Sequence, residues 1–157
     1  MVNINSTPRL SDIKQKVILT QTDTTVGFVS QNALKLAHIK SRDSNKPFIK
    51  VYPHFHFLLQ DGIRIPNKYK RVVRKARKSS FIVKGVSFRV APYPLHSAIL
   101  RNMQWSYSTS ANEQGKEYSR RFCEEKADII VEDQKGLHEN HASQLYKINN
   151  SKRVRLR

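Results

Sequence analysis

Apolar and polar positions change their period several times along the chain, and each change marks an element. Lys16–Thr20 (KVILT) is short, β-branched and bounded by polar residues, which predicts a buried strand. A polar turn follows at Gln21–Thr25. Ser30 is placed as the N-cap of a helix reaching about Lys40, with Leu34, Ala37 and His38 on one face and Leu36 and Ile39 near its edge. Pro47 ends that segment, and Phe48–Tyr52 reads as a second strand. His54–Leu59 fits a helix and a strand equally, and as a strand it would put His54 and His56 on one face. Pro66 suits the first position of a helix running to about Arg77. Ser79–Lys84 and Val86–Val90 read as two strands about a turn at Gly85.

Further on, Pro94–Met103 reads as a helix, Trp105–Ser110 as a strand, Gly115 as a turn and Tyr118–Lys126 as a helix of mixed charge. Asp128–Val131, Ser143–Ile148 and Arg153–Leu156 are three more short strands. Strands and helices alternate early, with strand pairs in the middle and at the end. That order predicts an α/β protein with helices packed on a mixed sheet, not a purely parallel wound sheet. No repeat, Pro/Gly-rich linker or low-complexity tract divides the 157 residues, so a single domain over 1–157 is expected. A chain of that length can bury roughly 68–70% of its unfolded surface.

Composition narrows the function. A hydrophobic fraction of 38% excludes a wholly disordered chain. No apolar run approaches a membrane span, so no membrane partner is expected. Met1–Arg9 shows no basic-then-apolar leader, which makes the cytoplasm the expected compartment. Cys123 is the only cysteine, which rules out an internal disulfide and any multi-cysteine metal site. The net charge is +17, and residues 62–112 supply +11 of it without one acid. Such a field attracts polyanions, nucleotide triphosphate and RNA alike.

Three small polar clusters each follow an element where α/β proteins place ligands. They are Thr22-Asp23-Thr24-Thr25-Val26-Gly27, Lys40-Ser41-Arg42 with Lys46-Pro47 behind it, and Ser108-Thr109-Ser110-Ala111-Asn112. Hydroxyls and amides at strand ends can hold phosphate oxygens or a small polar substrate. Lys and Arg two apart in a loop leaving a helix can reach one phosphate chain.

Taken in order, the segments VILTQTDTTVGF, HIKSRDSNKPF, VSFRV, YSTSANEQG, ADIIV, ASQLYKI and VRLR resemble the motif series of the YrdC-like threonylcarbamoyl-AMP synthases. The motif-bearing part covers about residues 16–157. The resemblance implies a twisted mixed sheet with flanking helices around a large basic cavity. It implies formation of threonylcarbamoyl-adenylate and pyrophosphate from L-threonine, bicarbonate and ATP, with Mg²⁺ accompanying the ATP. Partner proteins would then transfer the threonylcarbamoyl group to the adenosine beside the anticodon of tRNA.

Carried over to this chain, the resemblance makes Lys40 and Arg42 the catalytic cations holding the ATP phosphates. Lys46, Arg89, Ser110, Asn112, Ser143 and Arg157 would join them around ATP, and Thr22 and Thr24 would line the threonine pocket. The chain departs from the family pattern at Val26, which stands for an aromatic, and at Ala91, which stands for a proline. Where the family has a Trp-Pro-Gly-Pro turn, this chain has a basic run.

That run, KYKRVVRKARK, carries Lys68, Lys70, Arg71, Arg74, Lys75, Arg77 and Lys78 around an apolar stripe of Tyr69, Val72, Val73 and Ala76. Two readings stay open: contact with the backbone of tRNA or double-stranded RNA, or a solvated cationic helix lining the edge of the ATP cavity. An RNA-binding protein on the same fold, with weak or no synthase activity, is the alternative for the whole chain. His138 and His141 (HENH) are one residue short of the zinc-protease spacing and have no evident third ligand, so no metal site made of side chains is expected. Cys123, in a charged helix, is expected to be a buried or half-buried thiol without a nucleophilic role.

Overall fold

The computed structural model describes residues 10–43, 45–91 and 94–157; the segment Met1–Arg9, read above for a leader, lies outside them. Nine strands form one mixed sheet in the order β7-β1-β2-β6-β3-β5-β4-β8-β9. They are β1 Ile18–Gln21, β2 Val26–Ser30, β3 Ile49–Tyr52, β4 Ser79–Val83, β5 Val86–Val90, β6 Ser106–Ser110, β7 Ile129–Val131, β8 Gln144–Ile148 and β9 Arg153–Arg155. The helices are α1 Leu10–Lys14, α2 Ala33–Lys40, α3 Phe55–Gln60, α4 Lys70–Lys75, α5 Pro94–Met103 and α6 Arg120–Lys126. Parallel pairs (β1–β7, β3–β5, β4–β8) are interleaved with antiparallel ones, as the alternation of elements led us to expect.

Helices cover both sides. On the β3-β5-β4-β8 half, Tyr52, Phe81, Val83, Phe88, Val90 and Ile148 meet Phe55 and Leu58 of α3, Ile65, and Val73 of α4. On the β1-β2 half, Leu19, Val26 and Phe28 pack with Leu36 and Ala37 of α2 and Cys123 of α6. On the opposite side, Met103 and Ile99 of α5 lie against Ile18 and Val29, and Leu100 of α5 lies against Val51. Alternate residues of a strand face opposite ways. Phe88 and Val90 therefore enter the α3–α4 core while Ser87 and Arg89 face away from it.

Several local expectations are corrected. β2 was not foreseen: Val26–Ser30 is a fully buried strand following a four-residue turn, not the approach to a helix. The α2 N-cap is consequently Asn32, whose side chain accepts from the Lys35 amide, and not Ser30. The buried face of α2 holds Leu36, Ala37 and Lys40, whereas Leu34 is 73% exposed and His38 is exposed. His54 and His56 sit at the start of α3 and not on a strand. The helix expected from Pro66 to Arg77 is a 3-10 turn, Asn67–Tyr69, followed by the six-residue α4. The Gly85 hairpin holds as read, with Lys84 and Gly85 at φ 48° and 81°, the left-handed pair that a tight hairpin requires.

Candidate functional site

The side of the sheet facing away from α3 and α4 opens into a cavity of about 360 Å³. Loops at strand ends and the strands β3, β5, β6 and β8 supply its walls. Lys40, Arg42, Arg89 and Arg157 line it together with hydroxyls of Thr24, Thr25, Ser87, Ser108, Thr109, Ser110 and Ser143, and among the described residues no carboxylate does.

The β1–β2 turn is closed by its own hydroxyls. Thr22 Oγ1 donates to the Thr25 carbonyl at 2.6 Å and accepts from the Thr24 amide at 3.2 Å, a local turn built by a side chain. Thr22 itself is buried beneath the turn and does not line the cavity; its role is to present Thr24. The Thr24 hydroxyl accepts from Arg89 Nη1 at 3.1 Å. On the other side of that guanidinium, Asp23 Oδ1 lies 3.3 Å from Arg89 Nη2. Burial lowers the pKa of Arg89, Asp23 opposes that, and Arg157 adds to it.

Ser41 stands in the left-handed region at φ 50°, and the amides of Ser41 and Arg42 bond back to His38 and Ala37. This sharp helix end separates two cations only two residues apart. Lys40 turns inward: its Nζ lies 3.0 Å from the Ser110 carbonyl and 2.6 Å from both the carbonyl and Oδ1 of Asn112. Burial, and next to it the charge of Arg42, pull the Lys40 ammonium down to about 8, while Cys123 acts the other way. Arg42 turns outward over the Phe48 ring, 4.9 Å from its centre, and donates from Nη2 to the Pro47 carbonyl. Its buried Nε has no partner, a donor left for something in the cavity.

The segment after β6 is the counterpart of α2's end. Ser110 Oγ donates to Asn112 Oδ1 at 2.7 Å, and Asn112 Nδ2 donates to the Lys116 carbonyl. Asn112 lines not the main cavity but an adjoining hollow of about 130 Å³, which it shares with Thr25 and Ser110. Across the cavity, the hydroxyls of Ser143 and Ser80 are 2.8 Å apart, and Arg157 Nε donates to the Ser143 carbonyl.

Thus Thr24, Lys40, Arg42, Arg89, Ser110, Ser143 and Arg157 meet at one cavity, with Thr22 and Asn112 buttressing it. Lys46 does not join them; it is exposed, and its amide bonds Asp43 in the loop outside. Nor does any residue of the basic run. None of Lys68, Lys70, Arg71, Arg74, Lys75, Arg77 and Lys78 lines the cavity, and α4, which carries Lys70, Arg71, Arg74 and Lys75, lies on the opposite side of the sheet, because its Val73 packs on the residues that alternate with Arg89. The reading of α4 as an edge of the cavity is therefore corrected, while Lys78 leads into β4 with its carbonyl bonded by the Gln144 amide, next to Ser143.

Sequence reasoning missed two participants. Asp23, inside a motif already singled out, pairs with a residue on β5, a contact no local pattern encodes. His96 on α5 is fully buried, and neither ring nitrogen has a partner. Burial, then the charge of Arg89, hold it down to about 3. Its spacing with Leu100 and Met103 was the available signal, since positions i, i+4 and i+7 share one helix face. Cys123 is buried as expected; its Sγ lies 3.0 Å from the Ala111 carbonyl, and burial raises its thiol to about 11. Among the described residues, no group of three His, Cys, Asp or Glu could hold a metal ion.

No protein-family model and no curated sequence matches the chain, so the likeness to known proteins rests on structure. P. abyssi Sua5 superposes with TM-scores of 0.77 and, in its complex with L-threonine, 0.74, at 16% and 19% identity and over 94% of this chain. The chain spans about half the length of those Sua5 chains, 51% and 52%. Full-length HypF in a phosphate- and nucleotide-bound form matches at TM-score 0.71 and 12% identity, over 90% of this chain and 26% of HypF. E. coli YciO matches at 0.70 and 16% identity, over 94% of this chain and 85% of YciO. The fold is that of the YrdC-like domain shared by Sua5 and YciO, a twisted mixed sheet with flanking helices.

Proposed function

We propose that the cavity binds L-threonine and ATP and, with bicarbonate, forms threonylcarbamoyl-adenylate. The observation that carries this reading is the convergence of Lys40, Arg42, Arg89 and Arg157 on one cavity free of lining carboxylates. Two of the similar structures support it: Sua5 was solved with L-threonine, and HypF with phosphate and nucleotide.

Bicarbonate and the neutral threonine amine give an N-carboxylate with loss of water. A carboxylate oxygen then forms a bond to the α-phosphorus, the bond to the oxygen bridging to the β-phosphate breaks, and pyrophosphate leaves. Two anions must meet, so the chain's main contribution is to suppress their repulsion with fixed cations. Arg42, with its unpartnered Nε, and Arg157 hold the phosphates, and Arg89 adds positive potential from below. Lys40 holds the Ser110–Asn112 segment against the nucleotide, with Ser143 on the far wall. Thr24 faces the threonine side, supported by Thr22. Lys46, outside the cavity, has no part in this scheme.

Since no carboxylate lines the cavity, Mg²⁺ belongs with ATP as its counterion, and it would supply charge neutralisation on the phosphate oxygens. The adenylate would pass to partner proteins that modify tRNA.

Pyrophosphate release from ATP, with mass detection of the adenylate, tests the reading. Turnover should require both L-threonine and bicarbonate. Loss of one charge-assisted contact of about 1.5–3 kcal/mol in Arg42→Ala should slow it at least tenfold. Folded protein without threonine-dependent turnover would overturn the proposal.

A further inference from the structure

The cations of the basic run stand apart from the cavity and from every acid. Arg71 and Lys75 are exposed on the side of α4 opposite buried Val73, and exposed Arg74 lies between them and the core. Among the described residues no carboxylate pairs with any cation between Arg64 and Lys84. Flat rings lie beside these charges. The Arg74 guanidinium covers the Phe55 ring at 4.9 Å, and the adjacent His54 and His56 rings stack at 5.8 Å, with His56 exposed.

At the start of the same layer lies a second cavity of about 620 Å³. Ile65, Pro66, Val83 and Ile148 give it an apolar floor, and Asn67 and Asn150 stand with Arg64, Lys84 and Lys147 around it. Lys68 connects the two features, donating from Nζ to the Ser151 carbonyl.

We propose that this layer, on the side of the sheet away from the ATP cavity, binds a single-stranded polynucleotide, with phosphates along α4 and an unstacked base in the cavity beside Asn67. The unpaired cations meet the phosphates. The exposed His56 ring, with half-buried His54 stacked beside it, and the amide-rimmed apolar hollow suit bases, which a duplex would keep stacked inside. A membrane surface would use the charges but leave the hollow and the amides without a purpose. The inference does not depend on the reaction proposed above, because it shares no residue with that site.

Fluorescence anisotropy with a labelled single-stranded RNA, the same strand as DNA, and the RNA annealed to its complement tests it. Single strands should bind more tightly than the duplex, and the RNA–DNA comparison identifies which strand is preferred. Arg71→Glu/Arg74→Glu/Lys75→Glu should weaken binding at least about tenfold and flatten the log–log salt slope by about 2, near 0.7 per lost phosphate. Lys16→Glu/Lys126→Glu/Lys135→Glu changes net charge equally on exposed sites elsewhere and should shift affinity far less. Asn67→Ala/Asn150→Ala should erase the preference for single strands. Should the Arg74 change disturb folding, Arg71→Glu/Lys75→Glu carries the same comparison.

Equal losses in the two charge-reversal triples, tighter binding of the duplex, or strand binding lost on Arg42→Ala would each overturn the proposal. So would α4-dependent binding to phosphatidylserine vesicles that exceeds binding to the strands.

Discussion

Arg89 on β5 and Asp23 in the β1–β2 turn form an ion pair at 3.3 Å, with side chains only 6% and 9% exposed. Neither Asp23 oxygen has a well-aligned hydrogen bond, so the carboxylate acts mainly as a counter-charge. The pair fixes the turn that presents Thr24 to the centre of the sheet. Breaking one side of a buried pair strands the other charge, which costs about 3–5 kcal/mol. Asp23→Ala should therefore lower the unfolding free energy by an amount in that range, while Asp23→Ala/Arg89→Met should recover part of the loss. Equilibrium unfolding of the three proteins measures both effects.

His96 makes stability depend on pH. Its folded pKa of about 3 lies below the ordinary 6.5, so the unfolded chain takes up a proton that the folded chain refuses. Stability from this residue is complete above about pH 6.5 and is lost as pH falls from there toward 3, by about 1.4 kcal/mol per pH unit. His96→Leu should flatten that part of the curve of urea midpoint against pH. An unchanged slope would show that other groups set it.

Lys40 and Asn112 should behave as one unit in nucleotide binding. Lys40→Met frees the Ser110–Asn112 segment, and Asn112→Ala removes one of its acceptors. Each should weaken ATP binding about tenfold, and the double variant should be little worse than either single one, because contacting residues are not additive. The Lys40 ammonium is half deprotonated near pH 8, so affinity in the unaltered protein should decline as pH rises through that value. The decline should be absent in Lys40→Met. Calorimetric titration with MgATP reads both.

Gly27 is held by sterics. A Cβ there would lie 2.7 Å from the Thr22 methyl and 3.3 Å from the Thr109 carbonyl oxygen. The Thr22 hydroxyl is anchored to Thr25, so its methyl cannot easily swing aside. Gly27→Ala should cost about 1–3 kcal/mol by overpacking and should displace the turn under Thr24. Thermal unfolding checks the first effect and threonine binding the second.

Most strands and helices were legible because their signals are local. KVILT, the Gly85 hairpin and the Pro94 helix announce themselves through β-branching, turn residues and spacing. β2 was hidden by its start so soon after β1, in the space assigned to a polar turn and a helix cap. The α2 face was misjudged because Leu34 was placed on one face with Ala37, whereas Leu34 is exposed and Lys40 is buried beside Leu36 and Ala37. Lys40, Arg42, Ser110, Ser143 and Arg157 were singled out by motif order and do meet at the cavity. Lys46 shares their motif, yet the loop carries it outside.

What the sequence determined alone is the kind of chain: a basic, single-cysteine α/β chain whose polar clusters stand at the ends of its elements. These follow from composition, periodicity and residue order, which every short segment carries within itself. Tertiary structure alone decided which charges share a space. Residues next to each other on β5 face opposite sides of the sheet, so Arg89 enters the cavity while Phe88 anchors the layer bearing Arg71, Arg74 and Lys75. A helix within the stretch 62–112, which supplies +11 of the net +17, thereby lies across the sheet from the site that one of two open readings had it edge. The cause is the alternation of a β-strand combined with a pairing order that only the folded sheet sets.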